Sequence, residues 1–412
     1  MVKHITLLPL YMKEFSCIGG DCEDTCCAGW GITLDKKTYK KYQKINHPEL
    51  KGKLDSSMER IKNADQSGNC YAKIKLNSSS SCPMLTEDKW CQIQAVAGEQ
   101  ALSPTCTTYP RALNMMDQHF ELSAKVSCPE VARLALLKED GIDFEEMEFE
   151  INEGWMIQQK KSSADTSRFN HMFWPVRMFA IEIMQNRALP VCDRLIVLGL
   201  FVDKLQSEIE LNGDAVVHDV IESYRSRLQN VQYLKSIQEI KVNIDVQIHA
   251  LIEMVQFRYK HGSPYTRYNT CFDEMIAGFQ MTSEFDNLTE ISNAYSTNYK
   301  EYYLPFMEDK EYIFENYIVN YLYNTMFPNY QHKNLFNEYI VLASVYSMLK
   351  IHLIGISGYH KKLDTDIAIR TIQTYAKVVE HNNMYLNNIL KLLANNNFNT
   401  MAHIATLVKD IK

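Results

Sequence analysis

The 412-residue sequence has no unbroken stretch of about 18 apolar residues, so no transmembrane helix and no membrane insertion are expected. The run from Ile5 to Met12 is too short for the apolar core of a signal peptide, and Lys13 and Glu14 follow it in place of a small-residue cleavage site. A cytoplasmic protein is the expectation. Basic charge is also in deficit: 43 Lys and Arg against 50 Asp and Glu give a formal charge of -7. Neutralising phosphates needs the opposite balance, so no nucleic-acid partner is expected and a cationic one fits better. Glycine and proline are sparse, at 15 and 11 residues, and 46% of the chain is hydrophobic. Disordered and collagen-like classes are thereby excluded, and the length allows two or three ordinary domains.

What the chain does have is an uneven set of cysteines. Of eleven, nine lie between Cys17 and Cys128, and only Cys192 and Cys271 lie beyond. In a reducing compartment such clustering points to metal ligation or redox chemistry and away from a disulfide framework. Cys192 and Cys271, set in apolar helical patterns, read as ordinary buried thiols.

The pattern of the chain changes near the same boundary. Residues 1–140 are punctuated by Gly19-Gly20, the Ser78 to Ser81 run and Pro83, Pro104, Pro110 and Pro129, which predicts a loop-rich domain cross-linked by metal. Residues 150–412 read as an all-α body, making the fold class mainly α. One helical face carries Phe169, Phe173, Val176, Ala180 and Ile183, with Pro175 kinking the segment or marking its start. Another carries Ile313, Tyr317 and Tyr321, beside Ile318, Leu322 and Met326. Later stripes are Phe336, Ile340, Ala343, Ser347 and Ile354, then Ile369, Ile372, Ala376 and Val379. Asn212-Gly213 before Asp214 predicts a turn, Gly262-Ser263-Pro264 a loop, and Gly355 to Gly358 a helix stop.

The cysteines fall into four blocks. The first is Cys17-x4-Cys22-x3-Cys26-Cys27-x2-Trp30, compact enough for one loop to wrap several thiolates around a metal. The second runs from Cys82-Pro83-Met84-Leu85 to Trp90-Cys91, the third from Leu102-Ser103-Pro104-Thr105-Cys106 to Tyr109-Pro110-Arg111, and the fourth is Ser127-Cys128-Pro129-Glu130. Proline beside a ligating cysteine fixes the backbone and recurs where cluster-binding loops end. Histidine is scarce here, with His4, His47 and His119 only, so thiolate ligands select iron-sulfur or zinc. Paired Cys-x2-Cys knuckles are absent, which favours iron-sulfur, while a zinc site of four cysteines stays as the alternative. Cys70 lacks the Pro and Gly context and reads as a spectator. Side chains of the adjacent Cys26 and Cys27 diverge in an extended backbone, so both do not serve one ion by default.

These motifs together, including Cys91-x-Ile93 and Cys128-Pro129-Glu130-x-Ala132-Arg133-Leu134, resemble the flagellin lysine-N-methylase family. The likeness extends more weakly to Glu315-Asn316-Tyr317, Asn320-Tyr321 and Glu380-His381-Asn382 in the helical body. It carries eight cysteines as metal ligands: Cys17, Cys22, Cys26, Cys27, Cys82, Cys91, Cys106 and Cys128. It implies methylation of lysines on flagellin, S-adenosylmethionine as donor and a cluster of the [4Fe-4S] type. Eight thiolates exceed what one cubane needs, so either two centres exist or some cysteines support one. Met84 departs from the aromatic residue expected after Cys-Pro.

Methyl transfer needs a neutral lysine amine, whose free pKa is about 10.4, so desolvation or deprotonation is required. No strand and Gly-rich turn of the dinucleotide-binding kind appears. Cys22-x3-Cys26 meets the first spacing of the radical S-adenosylmethionine signature, but Gly29 stands at its last position. Arg111, close to Cys106, is the candidate for pairing with the donor carboxylate, through its planar fork of donors. An alternative from another class is a non-catalytic iron-sulfur or zinc module that docks a partner protein. Glu130 reads as a helix-start acid and His381 as structural, so no catalytic residue is named.

Overall fold

The computed structural model describes residues 2–62, 70–165, 170–282, 284–329 and 331–411. Phe169, placed on an apolar stripe above, lies outside the described residues. The chain divides into two compact units, residues 1–131 with 143–160 and residues 132–142 with 161–412.

The first unit holds strands as well as loops. A five-stranded sheet is built from β1 (Val2–Pro9), β5 (Arg111–Met116), β6 (His119–Ala124), β7 (Phe144–Ile151) and β8 (Ile157–Lys161), in the order β7-β1-β6-β5-β8. Strand β1 runs parallel to β6 and antiparallel to β7, with Val2 opposite Ile151 and Pro9 opposite Phe144. Alternation in β7, where Met147, Phe149 and Ile151 interleave with Glu148 and Glu150, is the pattern of a sheet with one solvated face. A smaller sheet, β2 (Ile32–Leu34), β4 (Ala72–Ile74) and β3 (Met58–Arg60), packs with α1 (Lys36–Gln43) and α2 (Pro48–Ser57) around Leu34, Tyr42, Leu50 and Leu54. Short helices α3 (Gln92–Ala97) and α4 (Pro104–Thr108) start at or near cysteines, as does α5 (Pro129–Leu136), whose residues from Ala132 onward belong to the second unit.

The second unit is helical, as its stripes predict. It runs through α6 (Phe173–Met184), α7 (Val191–Asn212), α8 (Val217–Leu228), α9 (Val231–Gln238), α10 (Ile244–His261), α11 (Thr266–Gly278) and α12 (Leu288–Asn298). A π-helical turn (Tyr299–Tyr303) leads to α13 (Leu304–Met307), α14 (Tyr312–Asn324), α15 (Leu335–His360), α16 (Thr365–Val379), α17 (Asn383–Asn395) and α18 (Met401–Val408). Pro175 lies in the first turn of α6, where its missing N–H costs no hydrogen bond. Gly213 and Gly262 end α7 and α10 with positive φ.

One expectation is corrected by α15. Gly355 to Gly358 do not stop a helix, because α15 continues to His360. These glycines serve close approach: a Cβ on Gly278 of α11 would lie 1.8 Å from the Gly355 carbonyl oxygen, and one on Gly358 would strike Asn298. Helix α15 is also long and apolar enough to cross a membrane, although Ser344, Ser347, Lys350 and His352 break its apolar run. Its most apolar window is 100% buried within the described fold, and it is the central core helix of this unit.

His352 on α15 gives the unit a pH dependence. Its Nδ1 lies 2.6 Å from the Met348 carbonyl and its Nε2 3.2 Å from the Tyr268 hydroxyl, so a neutral ring donates to the former and accepts from the latter. Complete burial pushes its pKa down to about 4, and the charge of Arg258 acts in the same direction. The unfolded chain, titrating near 6.5, takes the proton first. The contribution is therefore present above about pH 6.5 and lost as pH falls toward 4, a change of about 3 kcal/mol. Urea unfolding should show a loss between pH 7 and pH 4.5 that His352→Gln largely removes. Equal losses in both proteins would refute this account.

Candidate metal centre

Backbone hydrogen bonds lace the first cysteine block to the second. The Cys82 amide donates to the Cys27 carbonyl at 2.7 Å, the Gly29 amide donates to Ser80 at 2.8 Å, and Ala28 bridges Ser81. Leu85 bridges Cys91, and the Gln92 amide reaches Met84 at 2.8 Å, which folds Cys82 and Cys91 into one turn. Trp90 lies over Gly19-Gly20: an added Cβ at either glycine would collide with the indole, and Gly19 has φ +57°. The third and fourth blocks meet where the Tyr109 and Ser127 hydroxyls lie 3.1 Å apart. Trp30 packs against Tyr109 and donates from Nε1 to the Cys26 carbonyl at 2.5 Å.

Cys22, Cys82, Cys91, Cys106 and Cys128 each lie within electrostatic reach of Cys26, whose negative charge would raise their pKa values. Cys27, Cys82, Cys91 and Cys106 pack on the apolar cluster around Tyr42 and Met84. Cys17 is exposed and couples to Arg111, as does Cys128. Cys70 is exposed beside the undescribed segment 63–69, and none of the contacts above involves it. Cys192 and Cys271 are buried in the helical unit. Among the described residues, no group of three or more His, Cys, Asp or Glu side chains is arranged to hold a metal ion.

Local structure sets the electrostatics of each thiol. Burial pushes Cys82 up to about 11 and both Cys106 and Cys128 up to about 12, and it raises Cys22 and Cys91 as well. Amides oppose this: Ile93 and Gln94 at the start of α3 act on Cys91, and Glu130 and Val131 at the start of α5 act on Cys128. For Cys106 the opposing group is Ser103, whose hydroxyl caps α4 by accepting from the Cys106 amide at 3.2 Å. Helix-start amides favour a thiolate, and a cation would supply the rest of its stabilisation.

Arg111, the first residue of β5, lies with its guanidinium 4.7 Å from the Trp155 ring centre and 5.2 Å from that of Phe15. Burial lowers its pKa, opposed by Glu99, Cys17 and Cys128. Sequence reading missed the cradle of Phe15 and Trp155 because the residues are far apart along the chain and no local periodicity joins them. It also missed Tyr42, which is buried among Cys82, Cys91 and Cys106 and whose ionisation is suppressed by that burial. Glu130 lies in the first turn of α5, as expected for a helix-start acid.

Comparison with known proteins adds a separate line. Residues 177–407 match the family model described as the FliB lysine N-methylase C-terminal domain. The lysine-N-methylases of Salmonella choleraesuis and Salmonella typhimurium are each 24% identical over 395 residues, covering 92% of this chain and 93% of theirs. The flagellar biosynthetic protein FliU of Salmonella muenchen is 36% identical over 143 residues, which are 34% of this chain and 83% of that protein. No solved structure matches.

Proposed function

This chain belongs to the FliB lysine N-methylase family, and from that premise we propose that it methylates lysine side chains of flagellin in the cytoplasm, with S-adenosylmethionine as donor and a [4Fe-4S] cluster held by its N-terminal cysteines. The name of the two long relatives supports the reaction, and the name of the FliU relative supports a flagellar substrate. The observation that supports the metal reading is the lacing of the first two cysteine blocks, where the Cys82 amide donates to the Cys27 carbonyl at 2.7 Å, with Cys27, Cys82, Cys91 and Cys106 packed on one apolar cluster. This donor set fits a soft metal, because buried thiols that hold their protons alone become good ligands once a cation offsets the burial. Cys17, Cys22, Cys26 and Cys128 complete the eight.

When bound, the cluster would tie the loops together and offer the donor an iron coordination position, while the donor supplies an electrophilic methyl carbon. The residues of this chain do the rest. Arg111, stacked on Phe15 and Trp155 and within electrostatic reach of Cys17 and Cys128, would pair with a donor carboxylate. Transfer joins the amine nitrogen to the methyl carbon as the carbon–sulfur bond breaks. The amine must have lost its proton first, and a low-dielectric setting favours that loss.

The test is incubation of anaerobically purified protein with labelled S-adenosylmethionine and flagellin. Brown protein, with absorbance near 400 nm and label on flagellin lysines, is the expected result. Colourless protein with stoichiometric zinc would overturn the iron-sulfur assignment. Absence of transfer from cluster-loaded protein would overturn the methylase reading.

A further inference from the structure

Trp90 keeps 52% of its surface exposed, although an indole ordinarily contributes by burial. Its backbone has little freedom, because Thr86 bonds it on both sides. The Thr86 amide donates to the Trp90 carbonyl at 2.9 Å, and the Trp90 amide donates to the Thr86 hydroxyl at 3.0 Å. Between them Lys89 turns the chain with φ +61°. The next residue, Cys91, is the N-cap of α3. One short turn therefore fixes the indole and a candidate ligand together.

The indole covers the backbone between two further candidate ligands. Cys17 and Cys22 flank a single 3-10 turn, Gly19–Asp21, in which the Asp21 amide donates to the Ile18 carbonyl and the Cys22 amide to the Gly19 carbonyl, each at 3.2 Å. The two glycines answer different requirements. Gly19 has positive φ, a conformation that glycine adopts without strain. Gly20 does not, so its backbone would accept another residue. What excludes a side chain there is contact: a Cβ on Gly20 would lie 2.9 Å from the Trp90 Nε1 and 2.9 Å from the Asp88 carbonyl oxygen.

We propose that Trp90 is a positioning residue of the metal centre, clamping the Gly19–Asp21 turn so that Cys17 and Cys22 keep one fixed spacing before metal arrives. This inference rests on the metal reading above. A turn built on two glycines would otherwise sample many conformations, and the cost of ordering it would fall on the binding step. Residues that orient ligands from behind typically change metal affinity by about 10–100-fold.

The test follows metal release from the anaerobically purified full chain after addition of EDTA and bathophenanthroline, read by absorbance near 400 nm and by metal analysis. Trp90→Ala should release metal about tenfold faster, and Trp90→Phe, which keeps a ring over the glycines, should stay within about threefold. Gly20→Ala should match Trp90→Ala, and the double variant should be no faster than either, because both changes remove one contact. Deuterium uptake of the peptide spanning Cys17 to Cys22 should rise in Trp90→Ala and stay low in Trp90→Phe, with far-ultraviolet circular dichroism unchanged in both. Unaltered release from Trp90→Ala, no rescue by phenylalanine, additive effects of the two substitutions or unaltered deuterium uptake would each overturn the proposal. An unaltered chain that holds neither iron nor zinc refutes the metal reading, while deuterium uptake still decides whether the indole holds the turn.

Discussion

Cys106→Ala should abolish metal binding and most of the soluble yield together, whereas Cys70→Ala should leave both near the unaltered level. Cys106 lies at the centre of α4, capped by Ser103 and within electrostatic reach of Cys26, Cys82 and Cys91. As a plain buried thiol, its loss would remove one small apolar group and cost about 1 kcal/mol. As a ligand it carries part of the metal-binding free energy, which in small metal-stapled domains is also folding energy. The two accounts predict different outcomes. Metal analysis and the 400 nm absorbance of anaerobically purified protein separate them, and Cys106→Ser adds a control that keeps the shape but replaces the soft ligand. Should Cys106→Ala keep full metal content, Cys106 belongs to the support and not to the ligand set. Cys70, exposed and outside the four blocks, should shift stability by no more than about 0.5 kcal/mol.

The helical body was legible because its information is local. Stripes such as Ile313, Tyr317 and Tyr321, or Ile369, Ile372, Ala376 and Val379, declare a buried face within a few turns, and they lie on α14 and α16. Gly355 and Gly358 misled for a physical reason: a glycine that ends a helix and one that admits a neighbouring helix look alike in sequence. Their identity as contact residues depends on Gly278 and Asn298, which periodicity cannot connect to them. The larger N-terminal sheet was hidden in the same way. Strand β1 has no adjacent hairpin partner, and it pairs with β6 and β7, more than a hundred residues later. The cysteine blocks are legible in the sequence through their clustering and proline contexts, whereas the aromatic cradle of Arg111 is not, since it arises only from folding.

Asp193→Ala should destabilise the helical unit by about 3–5 kcal/mol, the usual loss when one member of a buried ion pair is removed and the other is left unpaired. Asp193 on α7 and Lys409, which follows α18, are both almost fully buried and paired with each other. Lys409 also donates to the carbonyls of Ile237 at 3.0 Å and Gln238 at 3.3 Å, so α9 is tied to the same ammonium. Next to it, Lys350 of α15 donates to the carbonyls of Val408 and Lys409, each at 3.1 Å, and pairs with Asp410 at 2.5 Å. Gln247 of α10 donates to the carbonyls of Thr406 at 2.9 Å and Lys409 at 2.7 Å. Four helices thus hold the last turn of α18 and the Lys409–Asp410 segment after it through buried polar groups, each of which is costly to leave without a partner. Urea unfolding followed by far-ultraviolet circular dichroism measures the loss. Asp193→Asn, which retains an acceptor, should lose less than Asp193→Ala. The double variant Asp193→Ala/Lys409→Met should regain part of the loss, because it removes the stranded charge and keeps apolar volume. A single Asp193→Ala within about 1 kcal/mol of the unaltered protein would show that the latch contributes little and that apolar packing on α15 alone holds the segment.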